Sequence, residues 1–345
     1  MKNWKTWLGI LISAVFLYLA FRKTDWGQTW LMVKHADFRY LLLAAVILML
    51  AFVLRALRWR YLLYPTARLG FGALFGPMMI GFMALNILPF RLGEFIRAWM
   101  LGRREGISKS EVFATIVVER VFDGITILSF LIVVLFTLNL QDNVMTWIKA
   151  FSYLALVIYI GAIVFMILVR FSTNLIVTIV RRLLGWAPSI EGKAEGIIRS
   201  FAQGLDAVRN PKLFAWISFY SLIIWLTYTA AYYVAMFGFQ SPDGFNIGHE
   251  AGFTGALFVL VAVALGIMIP ASPGFVGTYE LACITALAAL GVSNSLAESY
   301  AIVTHAINFV PVTLTGLVYL YTHNISLKDI TEAHDNIESE TRPLQ

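Results

Sequence analysis

Ionisable residues sit in otherwise apolar sequence at three places: Arg91, Glu94 and Arg97; Glu119, Arg120 and Asp123; and Glu280 with His305 and Asn308 further on. Guanidinium forks hold phosphate or carboxylate through paired N–H donors, and a carboxylate or imidazole nearby can balance that charge or carry a proton. Arg91, Glu94 and Arg97 are spaced by three, so they lie along one side of a helix that begins near Pro89. The positive end of such a helix, with Arg91 beside it, suits a phosphate. Glu94 could instead pair with Arg91 or Arg97, carry a proton, or meet an amine on a substrate. Glu119 and Asp123 share a helix face, and Arg120 can pair with Asp123 three residues on. In the last group Gly274 and Gly277 allow a ligand to approach the backbone closely. The expectation is therefore that Arg91, Glu94, Arg97, Arg120, Gly274 and Gly277 bind a lipid headgroup, while Glu119, Asp123, Glu280, His305 and Asn308 balance charge or couple protons. A plainer reading makes the charges internal ion pairs that fix helix packing, with His305 and Asn308 merely hydrogen-bonded. Arg55, Arg58 and Arg60 read as an interfacial anchor, because long basic side chains snorkel from helix ends.

The elements that carry these residues are membrane segments. Of the 345 residues, 59% are apolar and 13% charged, against roughly 45–50% and 25% in a soluble globular chain. Eight apolar segments are long enough for a bilayer: the N-terminal run, read as a retained span and not a cleaved signal, then Tyr40 to Leu63, Gly70 to Leu88, Glu111 to Leu138, Ile148 to Val169, Leu213 to Phe237, Gly252 to Ile269 and Glu298 to Tyr321. No stretch remains for a separate soluble catalytic domain. The single Cys283 and the lack of CxxC or HExxH spacing give no disulfide framework, no metal site and no cofactor motif. The net charge of +6 is attributed to headgroup attraction and topology and not to nucleic acid.

Two shorter apolar pieces follow proline-containing breaks: Glu94 to Leu101 after Pro89, and Thr278 to Leu290 after Pro270 and Pro273. Helices that short reach only ~12–20 Å, so both read as re-entrant hairpins whose freed backbone groups are buried in protein or line a wet cavity. If Glu119, Arg120 and Asp123 are near mid-bilayer, they cost on the order of 8–10 kcal/mol unless partnered. Lys and Arg counts place both termini in the cytoplasm, with Arg22, Lys23, Lys34 and Arg39 on the wrong side of that layout. The hairpins also repeat in sequence. Each opens with Pro, Gly and Glu and runs to a Gly-x-Ser triplet, at Gly106 and at Gly291, and 12 residues lead from Ser108 to Arg120 and from Ser293 to His305. Under that topology the copies are inverted, a plan of secondary transporters. The fold expected is an all-α polytopic bundle: residues 1–324 in the membrane, with inverted repeats at roughly 70–169 and 252–324 and interfacial helices in 170–212, then a polar tail at 325–345. Ile197, Ile198, Phe201, Leu205 and Val208 mark the interfacial face.

Three motifs in order carry a family resemblance: P-x-R-x-G-E-x-x-R at Pro89, Arg91, Gly93, Glu94 and Arg97; E-R-x-x-D at Glu119, Arg120 and Asp123; and S-P-G-x-x-G-x-x-E at Ser272, Pro273, Gly274, Gly277 and Glu280. Over most of its length the chain resembles the transmembrane flippase-like domain of lysylphosphatidylglycerol synthases, including the stand-alone UPF0104 group. That resemblance implies movement of a lipid with a polar headgroup between leaflets. Only a short polar tail follows Tyr321, where the synthases carry an aminoacyl-transfer domain, so their lipid-modifying chemistry is not carried over and the chain is expected not to be an enzyme. The resulting expectation is a flippase or transporter of an anionic or headgroup-modified lipid in a bacterial or archaeal inner membrane, partnered by that lipid and by a second copy or an envelope enzyme. The alternatives are a membrane-embedded transferase acting on a phospholipid or polyprenyl headgroup, with Glu119 or Asp123 as general base, and an accessory subunit of envelope biogenesis.

Overall fold

The structure, a computed structural model, describes residues 4–88, 91–138, 142–184, 188–268 and 273–322. Pro89, Pro270 and Ser272 of the two breaks, and the tail expected from residue 325, lie outside the described residues. The described chain is helical: α1 (Trp4–Phe21), α2 (Trp26–His35), α3 (Phe38–Leu63), α4 (Phe71–Ile87), α5 (Leu92–Glu105), α6 (Lys109–Thr137), α7 (Asp142–Phe171), α8 (Thr173–Leu184), α9 (Pro188–Gly204), α10 (Pro211–Phe237), α11 (Ile247–Gly266), α12 (Thr278–Ala289) and α13 (Asn294–Thr322). Among the described residues the only extended pairing is an isolated bridge between Gln240 and Asn246.

Helix starts follow their caps. Asp25 accepts from the N–H groups of Gly27 and Gln28, Asp37 from that of Arg39, and Asn210 from those of Lys212 and Leu213 with Pro211 at the first helical position. Leu88 ends α4 in an extended conformation, φ −100° and ψ 145°, as the residue before a proline is driven to do. Gly106, with φ 69°, ends α5.

Five helices, α3, α6, α10, α11 and α13, are each long and apolar enough to cross a bilayer. α4 is shorter at 17 residues, and α7 with α8 passes only as a pair bent by 88°. Five of the eight expected long spans are thus single helices that meet the test of length and apolarity. Outward faces are apolar as lipid demands: Val157, Ile160, Val164 and Leu168 on α7 and Leu314 and Val318 on α13 are exposed. The interfacial segment is helical, but it does not merely rest on a surface. α9 packs on the start of α6, where a Cβ at Gly204 would sit 2.4 Å from the Glu111 carbonyl oxygen, and Leu205 is buried.

The two short helices fall where the pattern placed them, α5 at 14 residues and α12 at 12, roughly 21 and 18 Å long at 1.5 Å per residue. Each folds back on the helix before it. α5 lies so close to α4 that a Cβ at Gly93 would be 2.1 Å from the Gly81 carbonyl oxygen and 2.5 Å from the Leu85 nitrogen. α12 lies on α11, with Gly266 against Ala282 and the Thr278 carbonyl. The tips of these two hairpins meet: the space where a Cβ of Gly274 would sit is 3.2 Å from the Asn86 carbonyl oxygen, and the Arg91 guanidinium lies 6.0 Å from the centre of the Phe275 ring.

Candidate functional site

α3, α5 and α6 bring five guanidiniums and three carboxylates together beside these tips. Arg55 reaches Glu119 Oε1 at 3.3 Å and Asp123 Oδ2 at 3.0 Å, and its Nε donates to the Tyr228 hydroxyl at 3.1 Å. Arg58 donates to Asp123 Oδ1 at 2.6 Å and to Ser221 at 2.8 Å, and lies 3.3 Å from Glu119. Arg97 forks onto both oxygens of Glu119, at 3.3 and 3.0 Å, with its guanidinium 3.7 Å above the Trp59 ring. Trp225 Nε1 donates to Asp123 at 3.0 Å. Arg58 and Glu119 are fully buried, and Arg55, Arg97 and Asp123 nearly so. Charges this deep persist only with partners, which each of them has.

Arg120 turns toward a cavity of about 410 Å³. It pairs with Glu94 Oε1 at 2.9 Å and with Asp123 Oδ2 at 3.4 Å. Arg91 lines the same cavity from the first residue of its hairpin arm, in the left-handed conformation with φ 57°, and makes no ion pair with a described residue. Most of the wall is apolar or aromatic, including Phe52, Phe82, Ile127, Trp225, Leu260 and Phe309. Across from the arginines stand His305 and Asn308 with the Gly274 backbone. A wider surface depression of about 750 Å³, lined by Tyr64, Arg68, Asp206 and Arg209, contains none of these grouped charges.

On the far wall, His305 Nδ1 lies 2.5 Å from Glu280 Oε1 and Nε2 lies 2.8 Å from the Gly274 carbonyl oxygen. The Tyr279 ring stacks on the imidazole at 4.4 Å, its hydroxyl meets that of Tyr232 at 2.8 Å, and Asn308 donates to it at 3.3 Å. Glu280 Oε2 accepts from the Gly277 N–H at 2.7 Å, closing the N-terminus of α12.

Several expected site residues stand differently. Arg91, Glu94, Arg120, Asp123, Gly274, His305 and Asn308 line the cavity, whereas Arg97, Glu119, Gly277 and Glu280 do not. Arg97 faces Glu119 and Trp59 inside the protein, so it does not form one stripe with Arg91 and Glu94. Glu94 takes neither Arg91 nor Arg97 but Arg120. Gly277, with φ 91°, makes room for α1 and not for a ligand: its Cβ would be 2.8 Å from the Ser13 carbonyl oxygen. The largest departure is at Arg55 and Arg58, expected at the interface and found in the buried cluster; Arg60 alone is exposed. The signal was present in sequence. Tyr64 and Pro65 end α3, which leaves Arg55 roughly 12 Å from the helix end, too deep to snorkel, and Arg55 and Arg58 share a face three residues apart. Among the described residues no group of three or more His, Cys, Asp or Glu side chains could hold a metal.

Comparison with known proteins assigns the chain. Glycosyltransferase AglD of Haloferax volcanii is 27% identical over 97% of this chain, which spans 57% of that protein's length. UPF0104 membrane proteins of Pyrococcus horikoshii and Methanothermobacter thermautotrophicus are each 24% identical, over 92% and 83% of the chain and 97% and 86% of their own lengths. No solved structure matches. The first similarity overturns one expectation: a chain read as lacking enzymatic activity shares nearly its whole length with a protein named a glycosyltransferase. The model of the lysylphosphatidylglycerol synthase TM region matches residues 6–316, and the chain is a multi-pass membrane protein belonging to that family.

Proposed function

We propose that the cavity binds the anionic, phosphate-bearing headgroup of a membrane lipid and that the protein carries this lipid between leaflets. One observation carries the reading: Arg55, Arg58, Arg91, Arg97 and Arg120 outnumber Glu94, Glu119 and Asp123 by two, and Arg91, at the meeting point of the hairpin tips, makes no ion pair with a described residue. Arg91 is exposed, so its guanidinium is open to an incoming anion, and its fork suits phosphate. The apolar remainder of the wall suits the first part of a hydrocarbon chain. Broken helices meeting at such a site are a recurring plan for alternating access, and inverted insertion of the two hairpins belongs to this proposal. The test is reconstitution into vesicles with a lipid whose headgroup accessibility is followed in both leaflets. Wild type is expected to equilibrate phosphatidylglycerol faster than Arg91→Ala; equal rates for the two, both above empty vesicles, would remove the role of the cavity.

A second reading is favoured by the relative named a glycosyltransferase. In it the same site presents a lipid phosphate for transfer of a sugar. Incubation of the purified protein with labelled nucleotide sugars and membrane lipids separates the two: labelled glycolipid whose formation depends on Arg91 would favour transfer, and lipid movement with no product would favour transport.

A further inference from the structure

The far wall holds a proton of its own. The Gly274 carbonyl can only accept, so the 2.8 Å contact requires that His305 Nε2 carry a hydrogen. With Nε2 protonated, a neutral imidazole would present the lone pair of Nδ1 to the carboxylate oxygen of Glu280 only 2.5 Å away. That contact therefore needs a second proton, shared between Nδ1 and Oε1. The pair thus holds one proton more than a neutral histidine beside a carboxylate. The N–H of Gly277 pointing at Glu280 Oε2 favours keeping the negative charge on the carboxylate and the positive charge on the ring.

Loss of that proton cannot leave the geometry intact. Either Nδ1 must leave Glu280 or Nε2 must leave Gly274, and Gly274 is the hairpin tip. Gly274 and Phe275 both have positive φ, 70° and 59°, an unfavourable conformation for phenylalanine that neighbouring contacts must hold. Two such contacts are the His305 bond to the Gly274 carbonyl and the Thr278 hydroxyl bond to the Phe275 carbonyl at 2.9 Å. The groups packed around the pair are Tyr279 on α12, Tyr232 beyond it on α10, Cys283 on α12, and Asn308 and Phe309 on α13. The charged side chain facing the tip from the first hairpin is Arg91, across the Phe275 ring.

We propose that Glu280 and His305 form a proton-binding site, and that movement of the anionic lipid is coupled to movement of this proton in the same direction. The coupling rests on the lipid-carrier reading and follows from charge and mechanics together. The protonated pair is neutral and holds the tip that abuts Arg91; the deprotonated pair adds a negative charge across the cavity from the headgroup and releases the tip. The proton comes from water on one side of the membrane and is returned to water on the other through the cavity that His305 lines. Bound proton and bound headgroup therefore favour each other, and by linkage the preference is reciprocal.

Two measurements test this. Infrared spectra of purified protein, followed from mildly acidic to alkaline pH, are expected to show one imidazolium signal present at neutral pH, lost on alkalinisation, and missing from both Glu280→Gln and His305→Asn. Its absence from wild type would overturn the site. In vesicles of phosphatidylcholine with acyl-labelled phosphatidylglycerol, the membrane potential clamped, a pH gradient is expected to drive the labelled lipid toward the alkaline side. One proton per lipid corresponds to roughly a tenfold change in leaflet ratio per pH unit. Glu280→Gln should abolish this response. Lipid movement indifferent to the gradient would overturn the coupling while leaving the carrier reading standing. A titrating pair in a protein that moves no lipid would overturn the coupling together with that reading but not the proton site.

Discussion

The two walls of the cavity solve the problem of charge in a membrane in opposite ways. The wall built by α3, α5 and α6 is crowded with paired charges, and each of its buried carboxylates meets several guanidiniums at 2.6–3.4 Å. The wall built by the second hairpin and α13 is sparse: one carboxylate, one histidine and a ring of hydroxyl and amide groups. A cluster whose buried carboxylates are each shared by several guanidiniums is rigid, because moving any member strands the others at high cost. A sparse pair can change protonation and geometry one step at a time. The first wall is suited to present a fixed positive field to a headgroup, and the second to change state during a cycle.

The comparison breaks most visibly at Asp123, which accepts from Arg55, Arg58, Arg120 and Trp225. Asp123→Ala is expected to cost roughly 3–5 kcal/mol, enough to abolish a folding transition followed by thermal unfolding in detergent. Packing gives the next largest effect. Gly93→Ala would drive a methyl into backbone atoms of α4 and should cost about 1–3 kcal/mol, more than Gly266→Ala, whose nearest neighbour is the Ala282 methyl at 2.7 Å; paired melting curves rank the two hairpins. A smaller loss, about 1 kcal/mol, is expected for Glu280→Gln, since the amide oxygen can still accept from Gly277; a loss as large as that of Asp123→Ala would erase the distinction between the walls. Arg91→Ala should change stability least, within about 0.5 kcal/mol, because no ion pair with a described residue is broken.

Much of this layout was legible in the amino-acid order. Proline and glycine mark where helices stop, so α5 and α12 were placed within a few residues, and the motif residues Glu94, Arg120 and Asp123 do converge. What stayed hidden was partner choice. Helical spacing tells which residues share a face but not which neighbouring helix that face meets, so Arg97 was assigned to substrate when it belongs to Glu119, and Gly277 to a ligand when it belongs to α1. Arg55 and Arg58 were missed for the same reason, their carboxylates lying more than sixty residues away on α6. Which way each hairpin is inserted depends on the bilayer and is not a property of packing alone.

The role of the Arg91 guanidinium is tested most directly by weighing what it holds. Mass spectrometry of lipids retained by the purified protein should find phosphate-bearing lipids on wild type and a reduction of about tenfold or more, equivalent to ~1.4 kcal/mol, on Arg91→Ala that melts at the same temperature. An unchanged set of anionic lipids on that variant would contradict the assignment of the cavity.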